Sequence, residues 1–582
     1  MPTLSALHRV AVAFAALTVC ATWPTFAAAA DTPIYVIQGS GPVSPLQGQV
    51  VTTTGVVTRL NNNGFFLQDL VGDNNPATSD GVFVFTSTAP TVALGQYLRL
   101  SGQVVEFDTS GATSNPVVEA HPITELTGIS GIAVLGTGYS IAPTALPFPE
   151  AVDDDLERHE GMLVRIVGPL TVSQNFFQAR FGQLTVAKGA RLEVPTNRHR
   201  AGTAQALALA DENARRRIVL DDGSSQTNLN PTPFASAGAN GVPRAGDTVA
   251  ELIGVIDYGL ATASSAGLGD YRIYPTVAPV FIASHPRTSA PAPTRGNVRV
   301  ASFNVLNYFT TFTNGMTAGG QAGQGCTLGS STAASNCRGA SNSAEFLRQR
   351  SKIVLAMAAI DADVFGLVEI QNNGSVAAAN LVDALNAKVG SGTYAVIADP
   401  AEGTGTDAIK VAMVYKPARL SPLGSAVSDT AEANNRPTRA QTFSAANGER
   451  FTVVVNHFKS KGGCPAGGDA DAAGSIDSGE GQGCWNALRT LQTTQLRSFV
   501  ARLQTSAASN DVMVIGDLNS YGQEDPITQL TSSGYVDQFA RFDPFRCSFI
   551  FAGAAGRRDR ALTTATLSPR VVGAQAWHVN AD

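Results

Sequence analysis

The chain has 582 residues, of which 44% are hydrophobic and 15% are charged, so it can form a large core in two or three domains. Its formal net charge of −6 excludes a general electrostatic attraction to nucleic acid or to an anionic membrane. Any phosphate site must therefore be local or must use a metal ion.

The first thirty residues have the composition of a secretory signal peptide. Arg9 lies in a short basic start, an apolar run follows, and the alanines at 28–30 offer a cleavage site near Ala30. The apolar run is too short to span a bilayer. We therefore expect a protein that is exported, to the periplasm or the extracellular space, without a membrane anchor.

Residues 31–283 alternate between apolar and polar positions and contain many turn residues, which is typical of β-strands. The pattern occurs twice, and each copy pairs a hairpin bearing two aromatic residues with a later strand that a glycine introduces. We predict two OB-like β-barrel modules at 31–150 and 151–283. The aromatic pairs, Phe65-Phe66 and Phe176-Phe177, have two interpretations, as core residues or as platforms for nucleobases.

A Pro-rich segment at 284–297 is a candidate linker, and the pattern changes after it. Apolar runs such as "DVFGLVEI", "FTVVVNHF" and "DVMVIGDLN" predict strands, and two segments, 343–360 and 486–504, have helical periodicity. The first helix is expected to bury an apolar stripe of Phe346, Leu347, Ile353, Val354 and Met357. Residues 298–582 are thus predicted to form an α+β catalytic domain.

Five cysteines remain after the signal peptide. In an oxidising compartment, neighbours in sequence are candidate disulfides, here Cys326–Cys337 and Cys464–Cys484, with Cys547 left unpaired. A zinc site is disfavoured because the spacings are unsuitable and no histidine lies close to either pair.

Polar residues follow the predicted strands of the second half. Strand ends are common ligand sites in α/β sheets, and carboxylate and amide oxygens suit Mg²⁺, which activates water and neutralises phosphate charge. The residues at these strand ends are Asn304, Asn307, Glu369, His457, Asp517 and Asn519. Asp517 and Asn519 are two positions apart, so an extended chain would direct both side chains to one side.

The motifs "FNVLNYF", "EIQNNG", "NNRPTRAQTF", "NHFKSKGG" and "GDLNSYGQEDP" resemble those of the exonuclease–endonuclease–phosphatase superfamily. With the signal peptide, β-rich leader and paired cysteines, the chain is similar to bacterial extracellular endonucleases of the ExeM/NucH type. The resemblance implies a four-layer α/β sandwich, with two mixed β-sheets packed between helices.

The resemblance also implies roles for individual residues. Asn304 and Glu369 match metal-site residues, and Mg²⁺ is the expected ion, with Mn²⁺ as an alternative. The remaining matches form the catalytic and phosphate-binding set: Asp517 activating water, Asn519 holding it, His457 facing phosphate, Arg436 and Asn307 contacting substrate phosphate, and Asp559 supporting a final histidine.

The implied function is a secreted metal-dependent nuclease that hydrolyses extracellular DNA, with RNA as a second substrate and no obligate protein partner. Two alternatives remain open: a phosphodiesterase or phosphatase acting on lipid or small phosphate esters, and a catalytically impaired nucleic-acid-binding form. The second arises because the Ser-Asp-His motif that closes the superfamily fold does not occur before Asp582, so the catalytic domain is expected to be C-terminally incomplete, poorly soluble and nearly inactive.

A further candidate site is the acidic loop at 469–480. Its acidic residues fall at positions 1, 3, 9 and 12 of an EF-hand-like register: Asp469, Asp471, Asp477 and Glu480. A structural Ca²⁺ ion is one interpretation, and a solvated acidic loop is the other.

Overall fold

The computed structural model describes residues 31–109, 120–235, 242–260, 269–466, 480–544 and 547–579. Its first part is a closed barrel of five strands in the order β1-β2-β3-β5-β4, with a short helix against it. Buried apolar residues such as Phe65 and Leu67 fill the barrel. The elements are α1 Ile34–Gln38, β1 Val50–Asn61, β2 Gly64–Gln68, β3 Gly81–Phe85, β4 Tyr97–Phe107 and β5 Ile123–Gly136.

The second part repeats this arrangement within a seven-stranded sheet. Five of its strands close into a ring in the order β7-β8-β10-β12-β11, because β11 also pairs with β7. The elements are β6 Thr144–Ala145, β7 Leu163–Gln174, α2 Gln178–Phe181, β8 Gln183–Lys188, β9 Leu192–Glu193, α3 Pro195–Arg198, α4 Ala204–Arg215, β10 Arg217–Asp221, β11 Thr248–Leu260, β12 Gly269–Pro275 and β13 Phe281–Ile282.

The two rings have the same pairing pattern. Each has four antiparallel pairings and a single parallel one, β3–β5 in the first ring and β10–β12 in the second. The sequence repeat therefore corresponds to a repeated topology. The assignment of either ring to the OB class stays a prediction.

Two expectations for this region need correction. The region is not all-β, because helix α4 lies within it; its Ala, Leu and Glu residues favour a helix, and the Thr203 hydroxyl accepts a hydrogen bond from the Ala206 N–H at its start. The pair Phe65-Phe66 is fully buried and belongs to the core, so it cannot stack on bases, whereas Phe176 is exposed.

The second half of the chain has two main sheets. One has four strands in the order β14-β17-β19-β18, and the other has six in the order β20-β21-β22-β23-β27-β24. The strands are β14 Val300–Tyr308, β15 Cys326–Leu328, β16 Ser331–Ala333, β17 Val364–Gln371, β18 Ala395–Val396, β19 Ile409–Tyr415, β20 Leu420–Asp429, β21 Thr438–Ala445, β22 Arg450–His457, β23 Val512–Asp517, β24 Val536–Asp537, β25 Phe549–Phe551, β26 Ala554–Gly556 and β27 Asp559–Thr563.

Helices cover the outer faces of both sheets. They are α5 Ser343–Ile360, α6 Val376–Val389, α7 Asn486–Ala507, α8 Asp525–Ser532 and α9 Gln538–Phe542. Both predicted helices are present, although Leu347 is 46% exposed and lies outside the buried stripe. Among the described residues, every helix is too short or too polar to cross a membrane.

Alternation along the strands produces the layers. In β17, Phe365 and Leu367 pack with α5 and α6, whereas Val364 and Val368 pack against the second sheet. The sheets touch closely at Gly366, where a Cβ atom would lie 2.6 Å from Ile515 Cδ1. The predicted sandwich of two sheets between helices is therefore confirmed.

The cysteine pairing predicted from sequence is also present. Cys326 is bonded to Cys337 and Cys464 to Cys484, and Cys547 is free and buried.

Candidate active site

Three neighbouring strands of the six-stranded sheet bring together a row of polar residues. His457 at the end of β22 is paired with Asp517 at the end of the parallel strand β23. Asp517 is in turn paired with Asp559, the first residue of the antiparallel strand β27. We call His457, Asp517 and Asp559 the polar row. Residues that are 60 and 42 positions apart in sequence thus lie side by side.

The local chain path explains how β23 ends. Gly516 has φ 120°, and a Cβ atom there would lie 2.0 Å from the Asn456 carbonyl oxygen, so only glycine fits. After Asp517 the chain turns: Asp517 Oδ1 accepts a hydrogen bond from the Asn519 N–H at 2.7 Å. Asn519 has φ 48°. The expected extended geometry at 517–519 is therefore wrong, and an Asx turn joins the two residues instead.

The Asn519 side chain is buried and fixed by a single hydrogen bond. Its Nδ2 donates to the Phe458 carbonyl at 3.0 Å, while its Oδ1 has no hydrogen-bond partner. A buried amide oxygen without a partner is costly. A group that occupies the site, such as a water molecule or a ligand, would satisfy it.

Glu369 and Asn304 come together on the four-stranded sheet through two adjacent irregularities. The register of β17 shifts between Leu367 and Ile370, and that of β14 shifts between Asn304 and Tyr308. Glu369 has φ 65°. Asn304 Nδ2 donates to Glu369 Oε1 at 3.0 Å. Irregular, strained backbone of this kind is common at functional sites and re-aims side chains.

Asn307 contributes to the same group through its backbone. Its N–H donates to Glu369 Oε2 at 3.1 Å, and its φ is 51°. The hydrogen bond from Asn307 therefore positions Glu369 by way of the main chain.

Arg436 differs from expectation. It is buried, and its Nε and Nη2 donate to the carbonyls of His457 and Phe458 at 3.1 and 2.7 Å. Its Nη1 lies 3.7 Å from Asp407. A bidentate contact with phosphate by a free guanidinium fork is therefore not available, because backbone carbonyls already hold two of its nitrogens. Its charge still faces the site, since the carboxylates of Asp517 and Glu369 both act on its pKa.

The electrostatic environment separates the members of the polar row. Burial, with added repulsion from Arg436, Arg558 and Arg338, holds the pKa of His457 well below its usual value, so the imidazole is neutral at neutral pH. Its Nδ1 is buried and without a hydrogen-bond partner. For Asp559, burial and then the charge of Asp517 raise the pKa to about 7.

Sequence reasoning missed a buried ion pair beside the row. Glu524 is completely buried and accepts from Lys461 Nζ at 2.8 Å, from the Tyr521 N–H at 3.1 Å and from Thr196 Oγ1 at 2.8 Å. Burial lowers the pKa of Lys461 to about 8. Lys461 and Glu524 stand inside "NHFKSKGG" and "GDLNSYGQEDP", so the motifs contained them, but nothing indicated that they pair. The pair braces the loop that follows Asn519.

The second β module reaches this loop. Thr196 of α3 bonds Glu524, and the neighbouring strand β9 pairs in parallel with β26, with Glu193 opposite Ala555. Arg200 forms an ion pair with Asp525 at 2.7 Å. The leader and the catalytic domain therefore share a sheet and a set of polar contacts next to the polar row.

An exposed aromatic pair lies on that shared sheet. Phe549 and Phe551 on β25 are 40% and 66% exposed, with rings 6.5 Å apart and 15° from parallel. The Arg558 guanidinium stands 4.4 Å from the Phe549 ring centroid. Ser548, just before the pair, accepts from the Asp559 N–H. These aromatics were not predicted, because "FIF" reads as an ordinary short strand.

The residues present fit a hard divalent cation that retains water ligands. In the part of the chain that the structure describes, no cluster of three or more His, Cys, Asp or Glu residues is arranged to hold a metal. Glu369 offers one carboxylate, each oxygen of which accepts one hydrogen bond, and Asn304 offers an amide oxygen. Mg²⁺ commonly uses one or two carboxylates together with water and phosphate, which matches this sparse donor set.

Most of the acidic loop at 469–480 lies outside the described residues. This holds for Asp469, Asp471 and Asp477, whereas Glu480 lies near Gly202 of the second β module. Calcium binding there stays a prediction.

Comparison with known proteins places the site in a family. Residues 301–580 match the model of the Endonuclease/Exonuclease/phosphatase family. The second half of the chain therefore carries a domain of this family, and such domains act as hydrolases on phosphodiester bonds. No curated protein sequence matches the chain.

Solved structures with similarity to the chain include three phosphoesterase-type domains. The human Nocturnin catalytic domain with bound sulfate is 15% identical, covers 38% of this chain and 76% of its own, and has a TM-score of 0.28. A family protein from Bacteroides thetaiotaomicron is 14% identical, with 37% and 74% covered and a TM-score of 0.26. D. rerio TDP2 complexed with a single-strand DNA product is 13% identical, with 37% and 76% covered and a TM-score of 0.24.

Proposed function

We propose that the protein is an exported, divalent-cation-dependent nuclease that hydrolyses DNA, with RNA as a second substrate. The observation that carries this proposal is the polar row, which aligns an imidazole and two carboxylates next to the unpartnered Asn519 Oδ1. The arrangement supplies a proton acceptor, a water-orienting oxygen and a proton store within one site.

The reaction would proceed by in-line attack of water on phosphorus. Asp517 accepts the proton of the attacking water, and Asn519 Oδ1 accepts its second hydrogen and so fixes its direction. The new bond joins the water oxygen to phosphorus as the bond from phosphorus to the leaving oxygen breaks. His457 is neutral and therefore acts on a phosphate oxygen as a hydrogen-bond donor rather than as a cation.

Asp559 is our candidate for protonating the leaving oxygen. Its pKa of about 7 keeps a proton available near neutral pH, while Asp517 beside it takes the opposite role. Two carboxyl groups whose environments differ are a common way to obtain an acid and a base in one site. A divalent cation held by Glu369 and Asn304 would neutralise phosphate charge in the transition state.

Nucleic acid is favoured over lipid or small phosphate esters by the Phe549–Phe551 pair. An exposed, nearly parallel pair beside a cation can stack on unpaired bases, an interaction of about 1–3 kcal/mol per base. Export is inferred from the first thirty residues and is supported by the two disulfides, which are typical of oxidising compartments.

Activity assays on Asp517→Asn test the proposal. Hydrolysis of DNA and of bis(p-nitrophenyl) phosphate should fall by about 10² to 10⁴, since the amide cannot accept the proton. Asp511→Asn, at the opposite end of the same sheet region, is the matched control and should keep activity. Unchanged cleavage by Asp517→Asn, or a preference for sphingomyelin over DNA in the wild type, would contradict the proposal.

A second assay tests the substrate class. Phe551→Ala should weaken cleavage of single-stranded DNA by about tenfold or more and leave bis(p-nitrophenyl) phosphate hydrolysis unchanged, because only the polymer presents bases to stack. Phe176→Ala, which removes another strongly exposed aromatic from the second β module, is the control. Equal losses on both substrates would argue against a base-stacking role.

A further inference from the structure

The second β module contains a basic segment on an otherwise acidic chain. Residues 188–217 carry seven Lys and Arg against three Asp and Glu, whereas the whole chain has a net charge of −6. Local excess of positive charge on an acidic protein is a recognised feature of phosphate-binding surfaces.

The segment folds around a cavity of about 470 Å³. Helix α4, the end of β8 and the region of β9 form its walls, and two carboxylates, Glu193 and Glu212, line it as well. Its five cationic side chains are Lys188, Arg191, Arg198, Arg215 and Arg216.

The positive charge in this cavity is only partly compensated. Arg198, Arg215 and Arg216 pair with Glu193, Asp211 and Glu212, respectively. Among the described residues, Lys188 and Arg191 have no carboxylate within ion-pair distance.

Lys188 and Arg216 instead bond backbone carbonyls. Lys188 Nζ donates to Gly168 O at 3.0 Å, and Arg216 Nη1 donates to Lys188 O at 3.1 Å. Carbonyl groups orient a cation but do not cancel its charge, so the cavity attracts an anion.

The cavity lies within a few nucleotides of the polar row. Glu193 of its lining is paired with Ala555, a strand spacing of about 5 Å, and Ala555 is four residues from Asp559. A chain of four residues spans at most about 14 Å, so the two sites are separated by no more than about 20 Å along this path. That distance corresponds to about six nucleotides of a strand in duplex geometry.

We propose that this cavity binds backbone phosphates of the nucleic-acid strand whose phosphodiester is cut at the polar row. The proposal rests on the proposed nuclease function and adds to it a binding site on the leader module. It gives the module a role in holding substrate that the catalytic domain alone would not supply.

Salt-dependent binding of DNA tests the inference. The full chain carrying Asp517→Asn would be titrated with a fluorescent single strand of about 20 nucleotides, with and without Lys188→Gln plus Arg191→Gln. Loss of two phosphate contacts should reduce the slope of log K against log salt by about 1.4. Between 50 and 200 mM salt, the double variant should therefore lose about sevenfold less affinity than its parent.

Two further variants guard against a trivial explanation. Glu212→Gln removes an exposed carboxylate from the cavity and should steepen the slope, an effect that misfolding cannot produce. Arg165→Gln removes an ion-paired arginine of similar exposure elsewhere in the same module and should leave the slope unchanged.

The outcomes separate this inference from the proposed function. Equal slopes in parent and double variant, or equal effects of Arg165→Gln, would overturn the inference, even if the wild type cuts DNA. Slopes that change as expected in a wild type that hydrolyses neither DNA nor bis(p-nitrophenyl) phosphate would remove the nuclease proposal and keep the phosphate site. Binding of inorganic phosphate that matches the DNA affinity and is lost in the double variant would overturn it in favour of a small-anion site.

Discussion

The two carboxyl groups of the polar row should make the stability of the protein depend on pH. Asp517 and Asp559 face each other on adjacent strands, and Asp559 is partly buried. Replacing Asp559 with Asn removes the group that must otherwise ionise in this place. We expect the variant to be more stable than the wild type at pH 8, and this advantage to shrink towards pH 5.

The pKa values give the sign and the size of the effect. Burial, and secondarily the charge of Asp517, raise the pKa of Asp559 from 3.8 to about 7. Its stabilising contribution is complete below pH 4, and it is lost as the pH rises to about 7, because the unfolded chain ionises first. A difference of about three pKa units corresponds to a ceiling of about 4 kcal/mol. Because burial is the larger cause, Asp517→Asn should recover a smaller share than Asp559→Asn.

Urea unfolding followed by the fluorescence of Trp485, which lies in the same domain, measures this effect between pH 5 and pH 8. Asp383→Asn, on the exposed side of α6, controls for neutralising a carboxylate at the surface. The reasoning fails if Asp559→Asn is no more stable than the wild type at pH 8, or if its advantage is the same at pH 5. It also fails if Asp517→Asn gives the larger gain.

Three other predictions concern the metal site, the buried ion pair and a disulfide. Glu369→Ala should raise the Mg²⁺ concentration needed for half-maximal DNA cleavage, because it removes the carboxylate ligand; an unchanged Mg²⁺ titration would refute the assignment. Glu524→Ala should destabilise the protein by about 3–5 kcal/mol in urea unfolding, since it leaves Lys461 buried and unpaired. A loss under about 1 kcal/mol would show that water reaches Lys461. Replacing Cys464 and Cys484 with serine should cost about 3 kcal/mol, as expected for a closed loop with a sequence separation of 20; a midpoint equal to that of the oxidised wild type would contradict this.

Much of the fold could be predicted because it is encoded locally. The apolar runs that became β17, β22 and β23, and the helical periodicity of α5 and α7, each follow from short-range spacing. Helix α4 was missed because its segment lies among strongly alternating strands and has few apolar residues. The exposure of Leu347 was missed because periodicity marks a stripe but not its edge.

The site was predictable in its membership but not in its geometry. Strand ends identified Glu369, His457 and Asp517, yet no sequence pattern shows that β27 brings Asp559 beside Asp517. The Arg436 side chain was expected to be free, but its hydrogen bonds to carbonyls depend on the fold. Interactions between distant segments depend on tertiary packing, which local patterns do not report.

The contact between the leader and the catalytic domain was the least predictable feature. Strand β9 has two residues, and its partner β26 is about 360 positions away. So short a strand has no recognisable alternation.

The β9–β26 pairing also bears on how such a protein can be inherited. The linker at 284–297 looks like a natural seam for recombination, since few elements flank it. A crossover there would nevertheless separate Thr196 from Glu524 and leave β26 without its neighbour. A hybrid built at that seam would receive a catalytic half whose substrate-facing sheet is missing one strand. The leader and the catalytic half are therefore expected to travel through evolution as a single unit.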